Sequence, residues 1–245
     1  MRASRVPTPL RIGFDLDGTI ADFDSAFRHV EERLFGQSAA VPAGEPEAEE
    51  HRDVDNNSVD EDASRALQNP AVAGPGRRER DAVWADIQGT ANFWESLQPL
   101  KGGAVERIHH LMLQHHWEVF FITQRPPTRG DTVQRQTQRW LVTQGFDLPS
   151  VLVLGGSRGA AAGALRLDYH VDDSFQNCLD VLTDSHAKPI LVLPNDREPM
   201  VGSARKLKIG TAGSISAALD VLEAASTARA QPGVLARLAA LVGWQ

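Results

Sequence analysis

Two carboxylates stand two residues apart in the string Phe14-Asp15-Leu16-Asp17-Gly18-Thr19. In extended chain, side chains at i and i+2 point to the same side, so Asp15 and Asp17 converge. Like charges held together repel unless a cation accompanies them. The pair is useful where one acid attacks phosphorus while the other handles protons, and a carboxylate that becomes an aspartyl-phosphate is an established route for phosphoryl transfer. Asp-x-Asp-Gly also occurs in turns and calcium loops. An EF-hand requires a further acid at the position of Thr19 or Ala21 and a Glu at that of Ala26, and neither is present.

Three further segments end in residues of matching chemistry. Val119-Phe120-Phe121-Ile122 runs into Thr123, whose hydroxyl, with the backbone amides that follow from Gln124, suits phosphate oxygens. Residues 151–154 run into Gly155-Gly156-Ser157-Arg158, a flexible loop leading to a helix start, where a cation can hold phosphate. Tyr169-His170-Val171 delivers Asp172 and Asp173, an acidic pair suited to magnesium through oxygen ligands. Each piece alone is ordinary, because Thr is a common strand residue and Gly-Gly a common loop. Their order and their repeated position at strand ends carry the weight.

These residues need a scaffold that brings several strand ends to one edge. Residues 10–14 form a short apolar run that stops at Asp15, and Phe23, Phe27, Val30 and Leu34 recur at helical spacing. Val83, Trp84 and Ile87 predict a short helix after about residue 81, and Phe93, Trp94 and Leu97 predict another. Beyond Pro99 the pattern alternates: helix 103–115, strand 117–123, helix 131–144, strand 151–154, helix 158–165, strand 169–171, helix 175–183, strand 189–193. An edge strand at 206–209, a closing helix at 215–225 and an apolar helical tail at 234–244 complete the reading. Alternating helices and wholly apolar strands predict an α/β, Rossmann-like core with a parallel sheet covered on both faces.

Composition bounds the class. The chain has 245 residues, with 42% hydrophobic and 23% charged residues, and no apolar run long enough for a membrane span or a secretory signal. A lone cysteine, Cys178, excludes an internal disulfide framework, so a cytoplasmic setting is expected. The net charge of −7 is local: residues 45–62 hold nine acids against one Arg, which leaves the remainder near neutral. Nothing supports a nucleic-acid polymer as partner. Residues 37–80 are rich in Ala, Pro, Gly and Glu without apolar periodicity, the composition of a disordered insertion. His109, His110, His115 and His116 have no clean metal spacing and read as a solvated helix face.

The four segments, in this order over residues 11–193, resemble the four motifs of the haloacid dehalogenase (HAD) superfamily. Within it the chain most resembles the 5'(3')-deoxyribonucleotidase branch, through Asp22-Phe23, Phe93-Trp94-Glu95-Ser96-Leu97-Gln98-Pro99-Leu100 leading into Gly102-Gly103-Ala104, and Val171-Asp172-Asp173 with Asn177 after it. The resemblance implies a HAD core over residues 9–22 and 99–228, a small helical cap over 23–98, and a helical tail over 229–245. It implies that Asp15 is the nucleophile and Asp17 the proton-handling group. Magnesium would be held by Asp15, the Asp17 carbonyl and the pair Asp172 and Asp173, with no choice made between those two. Thr123 and Gln124 would hold phosphoryl oxygens.

Two departures stand out. Arg158 occupies the place where the superfamily supplies Lys, and Arg125 lies close to the expected phosphate, where it would share the role of Arg158, replace it, or grip a second anionic group. The implied activity is hydrolysis of a phosphate monoester, with a nucleoside monophosphate as the favoured small-molecule substrate. A sugar phosphate, and a non-catalytic binding protein on the same fold, are the alternatives. Trp84, Phe93 and Trp94 are the candidates for a wall that stacks a nucleobase, core packing being the ordinary fate of such residues.

Overall fold

Arg11–Asp15 (β1) is buried from its second residue onward, so both faces of this strand require cover. The strands that flank it are buried along most of their length as well. The computed structural model describes residues 9–36, 75–193 and 198–230. In it β1 is followed by Glu118–Thr123 (β2), Val151–Val153 (β3), Tyr169–Asp172 (β4), Lys188–Val192 (β5) and Gly210–Ala212 (β6). The six strands form one sheet in the order β3-β2-β1-β4-β5-β6, with every pairing parallel. The chain builds outward from β1 to β3, then crosses to β4 on the opposite side of β1. Such a reversal opens a crevice beyond the carboxyl ends of the two central strands.

The helices divide between the two faces. Ala104–His115 (α3), Val133–Thr143 (α4) and Ile215–Ala230 (α8) share one cluster with Phe14, Phe121 and Ile190. Arg158–Ala164 (α5), Phe175–Asp184 (α6) and Glu198–Lys206 (α7) pack on the other side, against Ile122 and Leu191. Adjacent residues of one strand thus serve opposite layers, as the pleat demands. Side-chain caps start several helices at fixed points: Thr132 accepts from Arg135 N, Ser157 from Ala160 N, and Ser174 from Asn177 N.

After β1 the chain leaves the sheet at Asp22 into Phe23–Phe35 (α1), and Pro75–Gly89 (α2) packs against α1. It returns at the same spot. Asp22 N donates to Gln98 O at 2.9 Å and Leu100 N to Ile20 O at 2.7 Å. On the return path a 3₁₀ turn, Phe93–Glu95, docks on α4 through Trp140 Nε1 to Leu97 O at 2.7 Å and Arg139 Nη1 to Glu95 Oε1 at 3.0 Å.

The predicted strands and helices between residues 99 and 193 fall within about two residues of the observed bounds. Elsewhere there are differences. Helix α2 begins at Pro75, several residues before the predicted start near 81, because Pro suits the first helical turn and the exposed arginines that follow need no apolar partner. The second short helix is only the 3₁₀ turn. The predicted edge strand at 206–209 is instead the last residue of the unanticipated α7 and the turn that follows it: Ile209 N donates back to Ala204 O at 2.9 Å, and Leu207 is exposed. The true edge strand, Gly210–Ala212, lacks bulky residues to announce it. The closing helix extends to Ala230. Residues 37–74 of the expected insertion and 231–245 of the tail lie outside the described residues. No helix among those described is long and apolar enough to cross a membrane.

Helix α5 carries Arg158 and must approach α6 closely. A Cβ on Gly159 would lie 2.2 Å from the Asp180 carbonyl oxygen, a backbone atom. Gly159→Ala gains roughly 1 kcal/mol of helix propensity but forces the two helices apart, at about 1–3 kcal/mol. The steric term should win, and denaturant unfolding of the variant should show a lower midpoint than the parent.

Candidate active site

The sheet register brings four sequence segments to one edge. Asp15 pairs with Ile122, one residue before Thr123, and Phe14 with Val171, one residue before Asp172. Asp15, Thr123 and Asp172 therefore end three adjacent strands, and all three are buried. The loop after Asp15 turns back tightly, with Ile20 N and Ala21 N both donating to Leu16 O at 2.8 and 2.7 Å. Gly18 adopts φ +85° in this turn, and a Cβ there would lie 2.1 Å from Asp173 Oδ2. A glycine is thus required both by backbone conformation and by the approach of the acidic pair.

Asp15, Asp172 and Asp173 each offer a carboxylate oxygen within 4.8 Å of the others. Burial pushes the Asp15 carboxyl well above the usual range; Arg158 opposes this, and the charges of Asp172, Asp173 and Asp17 add to it. Burial raises Asp173 to about 7, with the Asp172 charge second, against the hydrogen bond that Thr19 Oγ1 donates at 3.1 Å. Burial also acts against ionisation of Asp172, yet the bond to His170, the Arg158 charge and Ser174 N together hold it below its ordinary value. Three desolvated acids with only oxygen donors are a candidate site for a hard divalent cation, whose charge would offset their mutual repulsion.

Arg158 supplies the cation that the protein itself contributes. Its Nη2 bonds Asp15 Oδ1, and its Nε lies 3.5 Å from Asp172 Oδ2. The guanidinium is almost fully buried, and its Nε and Nη1 have no hydrogen-bond partner among the described residues. Buried donors without acceptors are costly, which marks this side of the arginine as a place for an anionic ligand. Gln124 is half-buried and clips the Gly155-Gly156 loop to the end of β2, its Nε2 donating to Gly156 O at 3.0 Å.

Asp17 stands apart from the three-acid cluster. Arg125 grips it with Nε and Nη2, and Thr123 Oγ1 lies 3.4 Å from its Oδ2. Phe93 and Trp94 are buried in the main core, while Trp84 is half-buried and stacks on Phe23 at 5.5 Å, with Phe27 edge-on to it at 5.6 Å. The two histidines of the α3 cluster that pack do so on neighbours, His109 on Phe146 and His115 on Trp117. Cys178 is buried, and burial raises its thiol well above the usual value.

Several supporting contacts were not anticipated from sequence, Asn177 having been named there only as part of the resemblance. His170 bonds Asp172 at 2.9 Å, Asn177 Nδ2 donates to both Asp172 oxygens at 3.2 Å, and Thr137 Oγ1 accepts from Arg125. The i, i+2 relation of His170 to Asp172 within a strand could have revealed the first. Asn177 lies one helical turn inside α6, which the Ser174 cap predicts. Nothing in the local sequence distinguishes Thr137 from any other helical threonine.

No protein-family model matches the chain, and no curated protein matches it in sequence. Solved structures do match. A HAD-family hydrolase from Deinococcus radiodurans with bound phosphate and sodium is 13% identical at a TM-score of 0.55, the match covering 91% of this chain and 98% of that one. A HAD hydrolase of family IA, variant 3, from Entamoeba histolytica is 9% identical at a TM-score of 0.47, covering 84% and 94%. A HAD hydrolase from Bacillus subtilis bound to magnesium is 14% identical at 0.38, covering 78% and 91%. At such identities a likeness speaks to architecture alone, and of these three the Deinococcus structure carries it. The chain has the fold of a HAD-family hydrolase.

Proposed function

We propose that this protein is a magnesium-dependent phosphate monoester hydrolase that works through an aspartyl-phosphate on Asp15 and favours nucleoside monophosphates. The observation that carries the reading is Arg158: a buried guanidinium with unpartnered donors, bonded to Asp15 and bordering the cluster Asp15, Asp172 and Asp173. A phosphoryl group at that point would find a nucleophile, donors for its oxygens and a divalent-cation site together. Bound magnesium would neutralise charge and orient the phosphate, held by Asp15, Asp172, Asp173 and the Asp17 carbonyl.

The chain's own residues then divide the work. An Asp15 carboxylate oxygen attacks phosphorus, the ester P–O bond breaks, and the leaving alkoxide takes a proton from Asp17. Asp17 next removes a proton from water as that water attacks the aspartyl-phosphate; the bond from phosphorus to Asp15 breaks, and inorganic phosphate leaves. Arg158 and Thr123 hold the phosphoryl oxygens, with the loop that starts at Gln124. Asp17 is also what argues against halide displacement, which has no leaving group to protonate. The described residues 23–36 and 75–98 act as the cap, and the open side of Phe23, Phe27 and Trp84 is the surface offered to a base.

Asp15→Asn should reduce phosphate release from p-nitrophenyl phosphate with magnesium to background while the variant melts like the parent. Near-parental turnover would end the nucleophile assignment. The cation site should respond to pH. With its carboxyl raised to about 7, Asp173 keeps a proton in the folded, metal-free chain between about pH 4 and 7 that the unfolded chain has lost. Its contribution to stability therefore falls as pH rises through this window, and the cation must displace that proton. Magnesium should raise the melting temperature more at pH 8 than at pH 5; an equal rise at both would count against the cluster.

The substrate class is tested on a panel. Base stacking contributes roughly 1–3 kcal/mol, so nucleoside monophosphates should be hydrolysed with higher kcat/KM than ribose 5-phosphate. Trp84→Ala should shrink that preference with little effect on p-nitrophenyl phosphate. Equal efficiency of the parent on all sugars and nucleotides would remove the nucleotide reading and leave the phosphatase one.

A further inference from the structure

Arg125 lies in the loop after Thr123, beside the expected phosphate, yet each of its three nitrogens already donates to a protein acceptor. Its side chain is fully buried, whereas that of Asp17 is 24% exposed. Nε donates to both Asp17 oxygens, at 3.1 and 2.8 Å, and Nη2 donates to Oδ1 at 2.7 Å. Nη1 donates to Thr137 Oγ1 at 3.0 Å. The guanidinium carbon lies 4.8 Å from the ring centroid of Trp94. Trp94 is itself fixed, with Nε1 donating to Pro126 O at 3.0 Å and its backbone N to Gln136 Oε1 at 3.2 Å. All three nitrogens of the fork are thus committed within the protein, and the stacked ring holds their plane.

We infer that Arg125 is the positioning residue of Asp17, a buried fork that sets where the proton-handling carboxyl stands, and is not a ligand of the substrate. This rests on the phosphatase reading above and deepens it. A bidentate guanidinium fixes both the distance and the plane of a carboxylate, which a lysine ammonium, as a point charge, does not. Through Phe23, whose ring lies 5.8 Å from that of Trp94, the same contacts reach α1.

The two roles for Arg125 differ in how the leaving group matters. A phosphate ligand acts on oxygens that every phosphate ester shares. A residue that positions Asp17 matters only as far as the departing oxygen needs a proton: an alkoxide requires one when the P–O bond breaks, whereas 2,4-dinitrophenolate departs with the electron pair and no proton. The experiment is therefore kcat/KM, which reports formation of the aspartyl-phosphate, for glycerol 2-phosphate and 2,4-dinitrophenyl phosphate with magnesium. Arg125→Ala and Arg125→Lys should each lose about 10²-fold on the alkyl ester, with kcat falling and KM changing less than about threefold, and should lose less than about threefold on the dinitrophenyl ester.

Adding Arg125→Ala to Asp17→Asn should cost nothing further on glycerol 2-phosphate, as expected when one residue acts through the other. Equal losses on both esters, a raised KM, or additive losses in the double variant would overturn the inference, as would no loss on either ester. General damage to the fold would appear as equal losses together with a lowered melting temperature, and so also counts against it. Turnover of both esters by the parent separates these outcomes from failure of the phosphatase reading, in which the parent itself is inert.

Discussion

Three carboxylates, Asp15, Asp172 and Asp173, meet at one end of a parallel sheet with a fourth, Asp17, nearby, and the rest of the site is organised around that repulsion. Two buried arginines offset it from opposite sides. Arg158 enters from α5 and faces Asp15 and Asp172; Arg125 enters from the loop after β2 and takes Asp17 alone. The balance at the three-acid cluster is incomplete. Asp15 remains raised well above its ordinary range by burial despite its arginine partner, and Asp173 is raised to about 7. A buried charge left over after internal pairing is expensive unless a further ion joins it, so the residual imbalance itself argues for a divalent cation.

The close approaches in the fold follow from the same constraint. Gly18 lets the acidic pair after β4 come against the loop after β1, and Gly159 lets α5 sit low enough on α6 for Arg158 to reach both Asp15 and Asp172. Asp172 can remain charged at full burial because its oxygens are already occupied, by His170 within the strand and by Ser174 N and Asn177 from the start of α6. That support comes from β4 and the helix that follows it, so the strand and the cap of the next helix form one rigid unit. Preorganisation of this kind keeps charged groups in place before any substrate arrives.

How much of this was legible depends on whether a residue's role is local. The strand ends could be read because apolar runs stop abruptly at polar residues, and because parallel strands with crossover helices must all point the same way. The edge strand could not be read: Gly210-Thr211-Ala212 has no apolar signature, while Leu207 and Ile209 mimic one at the end of a helix. Arg125 shows the deeper limit. Sequence places a cation near a phosphate site, but which acceptor takes the guanidinium depends on Thr137 and Trp94, which approach from α4 and from the turn after α2. Those contacts are tertiary, and no spacing rule anticipates them.

The use of arginine at both positions follows from this arrangement. At position 158 a guanidinium can bond Asp15 through one nitrogen, lie near Asp172 through another, and still present a donor without a protein partner. A lysine ammonium has three donors on one atom and could not span the two strand ends in this way. At position 125 two nitrogens of the planar fork grip a single carboxylate and the third donates to Thr137, with an aromatic face against the guanidinium. One arginine thus keeps nitrogens without a protein acceptor, while every nitrogen of the other already has one. That difference in unfilled hydrogen-bonding capacity, more than proximity to the expected phosphate, separates a candidate ligand of the substrate from a residue that orients its neighbour.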